Sequence, residues 1–333
     1  MPIPYSTETE HTLRAVSRAA SLCRQVQTQM VSSSTVEKAD RSPVTVADYT
    51  SQAVICQGLA EAFPADPVVA EETAKVLSNP DQAMMLSQVT RYVQAILPGA
   101  SSADVCAWID HGGADPGPRF WTLDPIDGTK GFLRGGQYAV ALALIVNAQV
   151  QVGALACPNL PLDLSNQDGP RGAIFLAVRG QGARMHPMYD GQARPLVVAP
   201  HTDPRLVRFV ESVEAGHANH AAHDSLAQTL GITQPSLRID SQAKYGVVAR
   251  GEAAIYLRLP SPKTPDYREH IWDHAAGALI VEEAGGRVTD ASGASLDFGQ
   301  GRRLLKNRGI IVSNRHLHPA ILSAIQATQN PEP

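Results

Sequence analysis

A two-lobed protein, α+β through residue 204 and α/β from residue 205 to residue 333, is predicted by three features of the sequence. Its 333 residues are more than twice the roughly 150 expected of one domain. The first part of the chain carries helical hydrophobic spacing and then a long series of β-branched and aromatic clusters broken by Gly, Asn and Pro. Beyond the polar segment His201 to Arg205, strand-like and helix-like stretches alternate to the end, which argues for an α/β layer.

Leu13, Val16, Ala20, Cys23, Val26 and Met30 recur at three- and four-residue steps and place one apolar stripe on a long helix. The polar stretch SSSTVEKADRSPVTVAD reads as a loop leading to a second helix from about Tyr49 to Phe63, ended by Pro64. A short apolar run, Pro67 to Ala70, reads as a strand that stops on Glu71 and Glu72. A helix-like stretch runs from Arg91 to Leu97, and HGGADPGPR reads as a surface loop. Strands follow at Phe120 to Leu123, Tyr138 to Val146, Val150 to Cys157, Ile174 to Val178, Ala183 to Met185 and Leu196 to Val198, with hairpin turns at Asn147-Ala148 and RGQG. In the second lobe the expected order is strand 207–213, helix 222–230, strand 236–240, helix 243–250, strand 253–259, helix 272–284, strand 309–313 and helix 318–328. Gly285 and Gly286 read as the end of helix 272–284.

Lys plus Arg number 28 against 32 Asp plus Glu, a formal net charge of -4. That balance lacks the broad basic field that nucleic acid or an anionic membrane would favour. Four widely spaced cysteines without a CxxC suggest neither a zinc ribbon nor a disulfide framework. The N-terminal residues lack the basic and apolar regions of a signal peptide, and no stretch approaches the ~20 apolar residues of a membrane span. A soluble, cytoplasmic protein is expected.

The sharpest local feature is DPIDGTKGF, in which Asp124 and Asp127 bring two carboxylates toward one small volume directly after an apolar strand. Pro125 fixes one φ and Gly128 permits a tight turn, so the carbonyl of Ile126 can turn inward between the carboxylates. Hard oxygen ligands of this kind suit Mg²⁺. The amides of Gly128 and Thr129 can receive a phosphate oxygen. A structural Asx-turn or a calcium loop would account for the string taken alone. Its company includes Glu71 and Glu72 at a strand end, Asp48 after SPVTVA, and Asp273 in WDHAAG at a helix start. Each of these acids alone could be a cap or a solvated charge; together they fit a multi-metal phosphatase.

The segments KADRSPVTVADYTSQ, VVAEET, LDPIDGTKGFLRGGQYAVALALI, GALACPNLP, FLAVRGQGA and IWDHAAGALIVEEAGGRVTD resemble the inositol monophosphatase superfamily, most closely its 3′(2′),5′-bisphosphate nucleotidase branch. The resemblance runs from about residue 10 to residue 325. It implies a layered αβαβα sandwich, dependence on two or three Mg²⁺ ions, inhibition by Li⁺, and removal of the 3′-phosphate of adenosine 3′,5′-bisphosphate to give AMP. The sulfated nucleotide 3′-phosphoadenosine 5′-phosphosulfate presents the same 3′-phosphate. Glu71, Asp124, the Ile126 carbonyl, Asp127 and Asp273 match the family's metal ligands, and Asp48 and Thr129 match the pair that positions the attacking water. The family's nucleotidases also suggest a monomer.

For the substrate, Ser241, Lys244 and Arg258 match family positions that hold the 5′-phosphate side and the base, and His220 matches one that contacts adenosine. A second phosphate remote from the metals needs fixed positive charge, which Lys and Arg supply. His217, His220 and His223 could instead form a zinc cluster, a helix cap or a surface group, and HANH replaces the family's usual HSSH. Two other functions compete with the nucleotidase reading. An inositol phosphatase, acting on a monophosphate or on the 1-phosphate of a polyphosphate, would share the metal cage but has no base to hold. A non-catalytic sensor of the nucleotide would not need Asp48 and Thr129.

Overall fold

The stripe from Leu13 to Met30 forms helix α1 (Ser6–Met30), whose buried face includes Val16, Ala20, Cys23 and Val26. The computed structural model describes residues 4–31, 42–213, 220–260, 264 and 266–329. Helix α1 packs along helix α2 (Ser42–Ala62). The second helix begins at Ser42 rather than near Tyr49, so SPVTVAD is helical and Asp48 projects from a helix. Pro43 does not prevent this, because amides in the first turn have no carbonyl partner to lose.

Helix α3 (Ala83–Gln94) contains the start of the stretch expected from Arg91. Helix α4 (Ser102–His111) was not anticipated from the hydrophobic pattern. It is started by a capping box: Ser101 Oγ accepts from the Asp104 N–H (3.2 Å) and the Asp104 carboxylate accepts from the Ser101 N–H (2.9 Å). The following HGG is not wholly a surface loop. Gly112 is buried, and a Cβ there would lie 2.6 Å from Ala70 Cβ and 2.7 Å from Gln52 Nε2, so only glycine allows this approach.

Seven strands, β1 (Val68–Ala70), β2 (Arg119–Asp127), β3 (Ala139–Val146), β4 (Gln149–Pro161), β5 (Arg171–Val178), β6 (Ala183–Pro187) and β7 (Arg194–Pro195), form one sheet in sequence order. Strand β1 is parallel to β2, and the rest of the sheet is antiparallel. Val146 pairs with Gln149 across Asn147-Ala148, both at positive φ, giving the two-residue turn expected there. The RGQG turn also forms, and the amides of Gly180 and Gly182 donate to the Glu283 carboxylate (2.9 and 2.8 Å). Leu196 to Val198 is not a strand. The Leu196 N–H still bonds to the Ala183 carbonyl of β6 (2.9 Å), and the chain then turns away, the Val198 N–H bonding to the Ala284 carbonyl (3.0 Å).

Past a short helix α5 (Thr129–Leu133), the remaining elements lie in the second half of the chain. Strand β8 (Val210–Glu211) pairs in parallel with β9 (Leu237–Arg238). Strands β10 (Ile255–Arg258), β11 (Gly286–Thr289) and β12 (Ile310–Asn314) form an antiparallel sheet with β12 at its centre. Strand β11 went unread because it starts one residue after the left-handed Gly285 (φ 90°) that ends the preceding helix. Helices α6 (His220–Leu230), α7 (Ala243–Ala249), α8 (Ala275–Glu283) and α9 (His318–Gln329) match the expected positions within a few residues.

These elements stack in five layers. Helices α1 and α2 cover one face of the large sheet, α7 and α8 lie between it and the small sheet, and α6 and α9 pack together on the outside. Layering explains AAGALIV in α8, which is buried from Ala275 to Val281 because both of its flanks face a sheet. The central core draws on both halves of the sequence, Phe175 and Tyr245 among them. No helix among the described residues is long and apolar enough to cross a membrane.

Candidate active site

Parallel pairing of β1 with β2 matches Ala70 to Leu123, so the next residue of each strand brings Glu71 beside Asp124. In a regular strand, residues three apart point to opposite faces. Between Asp124 and Asp127, however, the register with β3 slips: Asp124 pairs with Ala141 and Asp127 with Ala139. The extra residue of this bulge restores the phase, and both carboxylates line the same cleft. Pro125 and Ile126 occupy the bulge.

The cleft has a volume of about 240 Å³ and is lined by Glu71, Asp124, Ile126, Asp127, Gly128, Thr129, Ser241, Lys244, Arg258 and Asp273, with Asp240, Gln242 and Tyr256 among their neighbours. Residues that are up to 202 positions apart in sequence, Glu71 and Asp273, therefore share one small volume. Asp48, on α2, is buried and is not among the lining residues, and its charge reaches Asp124. Thr129 is exposed at the start of α5, and no hydrogen bond joins it to Asp48 among the described residues. His217 and the side chain of His220 lie outside the described residues. His223 faces inward, with Nδ1 3.2 Å from Glu211 Oε2 and its ring stacked on Phe209, so it is a packed core histidine.

Acids dominate the electrostatics at the strand ends. Burial, then Glu71 and Asp127, pushes the Asp124 carboxyl well above the usual carboxylate range. Burial and Asp127 do the same to Asp273, and burial with Glu72 and Glu71 to Asp48. Glu71 stands at the open mouth of the cleft, yet the protein around it, then Glu72 and Asp127, push it up to about 7. Asp124 Oδ1 is buried with no hydrogen-bond partner. Crowded carboxylates with an orphaned oxygen fit divalent cations, which would satisfy that oxygen and relieve the repulsion. Glu269, Asp273 and His274 also each offer a ligand atom within 4.8 Å of the others. Both ring nitrogens of His274 face partners, however, Tyr245 Oη at 2.8 Å and Glu269 Oε2 at 3.4 Å.

Positive charge is held close by. Lys244 is buried, its ammonium donating to Ser212 Oγ (3.1 Å) and lying 5.1 Å from the centre of the Tyr256 ring. Burial lowers it to about 8. Arg258 Nε donates to Glu269 Oε1 (2.8 Å). Ser241 sits at φ 67° and Gly128 at φ 93°. A Cβ on Gly128 would come within 2.8 Å of Ser241 Cβ, so the metal-side turn and the cation-side turn touch through a glycine.

Several residues that fix this geometry were not singled out from the sequence. On α2, Ser51 Oγ donates to the Pro125 carbonyl (3.0 Å). Gln52 Nε2 donates to the Glu72 carbonyl (2.7 Å) while its Oε1 accepts from the Glu72 N–H (3.1 Å). One helical turn thus clamps both acidic segments. The signal was available, since Ser51 and Gln52 follow Asp48 by three and four residues and share its face. The Gln242 N–H donates to Asp127 Oδ2, and its Nε2 donates to the Trp272 carbonyl (3.0 Å). Arg302 donates to the Ala70 carbonyl, and its guanidinium lies 5.0 Å from the centre of the Trp272 ring. Nothing in GQGRRLL marks that role.

Comparison with known proteins agrees with the arrangement. Residues 6–330 match the inositol monophosphatase family. A 3′(2′),5′-bisphosphate nucleotidase of Oryza sativa is 44% identical, over 97% of this chain and 94% of the relative. One of Schizosaccharomyces pombe is 39% identical, over 99% of this chain and 98% of the relative. Among solved structures, the extragenic suppressor protein SuhB of Bartonella henselae superposes with a TM-score of 0.63 at 18% identity, covering 96% of this chain and all of that one. CysQ of Bacteroides thetaiotaomicron, described as a bacterial member of the inositol monophosphatase family, gives 0.60 at 18% identity, covering 94% and 99%. The match in sequence over nearly the whole length, together with the layered fold and the acidic cleft, shows that this chain belongs to the inositol monophosphatase family.

Proposed function

We propose that this protein is a Mg²⁺-dependent phosphatase that removes the 3′-phosphate of adenosine 3′,5′-bisphosphate to give AMP, and that it accepts 3′-phosphoadenosine 5′-phosphosulfate at the same site. The observation that carries this reading is the pairing, in one cleft, of a carboxylate cluster with the buried Lys244 and the partly exposed Arg258. The relatives at 39–44% identity carry the corresponding name.

In this reading Glu71, Asp124, the Ile126 carbonyl, Asp127 and Asp273 hold two or three Mg²⁺ ions. Bound there, the ions neutralise the phosphoryl oxygens, stabilise the leaving alkoxide and make water a better nucleophile. The chain supplies the rest. The Thr129 hydroxyl accepts a hydrogen bond from the attacking water and passes its own proton toward Asp48, which aims a lone pair at phosphorus. The Gly128 and Thr129 amides steady the phosphoryl group. Lys244, Arg258, Ser241 and His220 hold the nucleotide at its 5′ end and base. An inositol monophosphate has no second phosphate to offer these cations, and no inositol phosphate has a base for the pocket to hold. The enzyme is proposed to act as a monomer.

Lys244→Ala or Arg258→Ala should therefore weaken use of the bisphosphate far more than use of 3′-AMP. The expected difference in kcat/KM corresponds to about 1.5–3 kcal/mol, the value of a hydrogen bond to a charged group. Equal losses on both substrates would show that these side chains do not read the 5′-phosphate. Lithium sensitivity is also proposed from family resemblance: phosphate release should fall in millimolar LiCl at matched ionic strength. An unchanged rate would count against this branch of the family.

A further inference from the structure

Three buried side chains beside the cleft, Glu269, His274 and Tyr245, form a hydrogen-bonded chain that ends on Arg258. Glu269, 9% exposed, uses one carboxylate oxygen for Arg258 Nε (2.8 Å) and the other for His274 Nε2 (3.4 Å). An ionised carboxylate only accepts, so Nε2 of His274 carries the hydrogen. His274 Nδ1 then accepts from the Tyr245 hydroxyl (2.8 Å). His274 is 1% exposed and Tyr245 fully buried. The Tyr245 ring is in turn fixed: a Cβ on Gly277 would fall 2.4 Å from it, and the Tyr256 ring meets it edge-on at 5.2 Å. The chain thus runs from a rigid core aromatic to the guanidinium. Arg258 keeps 29% side-chain exposure on the cleft. Because Glu269 takes the inner nitrogen, the outer edge of the guanidinium, beside the Tyr256 hydroxyl, is turned to the cleft.

We propose that Glu269 is a positioning residue for substrate selection: held by His274 and Tyr245, it fixes Arg258 so that the guanidinium meets a second anionic group on the substrate, remote from the phosphate that is cleaved. This rests on the reading of Arg258 given above. The opposing arrangement, in which Glu269 holds a metal ion with Asp273, makes different predictions, because a metal ligand would affect every substrate alike.

The test compares the parent protein, Glu269→Gln, Arg258→Ala and the double variant on adenosine 3′,5′-bisphosphate and 3′-AMP, each over a range of Mg²⁺. Glu269→Gln keeps the side chain's shape and removes its charge. It should raise KM more than it lowers kcat, and its loss in kcat/KM should be about tenfold greater on the bisphosphate than on 3′-AMP, as for a weakened charge-assisted hydrogen bond. In the Arg258→Ala background it should add little to that selectivity change, since the two act as one unit. Calorimetric titration of the metal-free protein in EDTA gives a readout independent of turnover: Glu269→Gln should weaken binding of 5′-AMP more than binding of adenosine. Should Glu269→Gln not fold, Tyr245→Phe removes only the last hydroxyl of the chain and should shift selectivity in the same direction by less. Equal losses on both substrates, a shifted Mg²⁺ midpoint, or a full further loss of selectivity in the double variant would overturn the proposal. If Arg258→Ala discriminates and neither Glu269→Gln nor Tyr245→Phe does, this inference alone fails. If Arg258→Ala does not discriminate, the reading of Arg258 fails and takes the inference with it.

Discussion

Asp127→Asn is expected to abolish turnover while leaving a folded protein that is more stable than the parent when metal is absent. The side chain is half-buried, and its role in the fold is to accept the Gln242 N–H, which an amide oxygen can still do. What the substitution removes is a charge that raises the carboxyls of Glu71, Asp124 and Asp273. With metal bound, that charge is part of the cage; a neutral oxygen in its place should cost several kcal/mol of transition-state stabilisation, or at least ~10³-fold in kcat. Without metal, removing it relieves repulsion. The pH dependence follows. A carboxyl raised in the folded protein contributes stability at pH values below its ordinary pKa and loses that contribution as the pH rises through the raised one. The metal-free parent should thus lose stability between about pH 4.5 and about pH 7 on account of Glu71, and Asp127→Asn should lose less. Melting temperatures in EDTA and in Mg²⁺, beside steady-state rates, check both halves. A folded variant with the parent's rate at ordinary Mg²⁺ would remove Asp127 from the metal site.

Thr129→Ala should lower kcat by ~10²–10⁴-fold, the usual contribution of general-base assistance, with little change in substrate affinity. Thr129 is exposed and opens α5 after the left-handed Gly128, and alanine suits that backbone. The turn amides and the carboxylates of Asp124 and Asp127 remain. Asp48→Asn should show a comparable fall, although Asp48 is buried and does not line the cleft. Because the two are proposed to orient one water, the double variant should be scarcely worse than either single one. Multiplicative losses, or a Thr129→Ala effect confined to KM, would leave Thr129 as a turn residue.

Most of the architecture was legible where hydrophobic periodicity is strong and turns carry their own chemistry, as in α1, the Asn147-Ala148 hairpin and the apolar α8. The misses share a cause: structure decided by local hydrogen bonding or by a neighbour rather than by periodicity. The helix α4 starts on the Ser101 box, Gly112 is glycine because Ala70 and Gln52 leave no room, and β11 begins at once after Gly285. At the site, ten of the twelve singled-out residues line one cleft, because DPIDGT and VVAEET each name their own strand end. Positioning residues such as Gln242 and Arg302 act across 30 to over 200 positions, and a single sequence holds no trace of such pairings. The family resemblance pointed to residues proposed to bear chemistry and said nothing of those that hold them.

The central claim, that this cleft cleaves a 3′-phosphate from a nucleotide carrying a second phosphate, is tested most directly by phosphate release in parallel from adenosine 3′,5′-bisphosphate, inositol 1,4-bisphosphate and inositol 1-phosphate with Mg²⁺. The account predicts that kcat/KM for the nucleotide exceeds that for either inositol phosphate by at least the ~10-fold worth of one charge-assisted hydrogen bond, with AMP as the nucleotide product. Preference for an inositol phosphate, or phosphate release from none of the three, would contradict it.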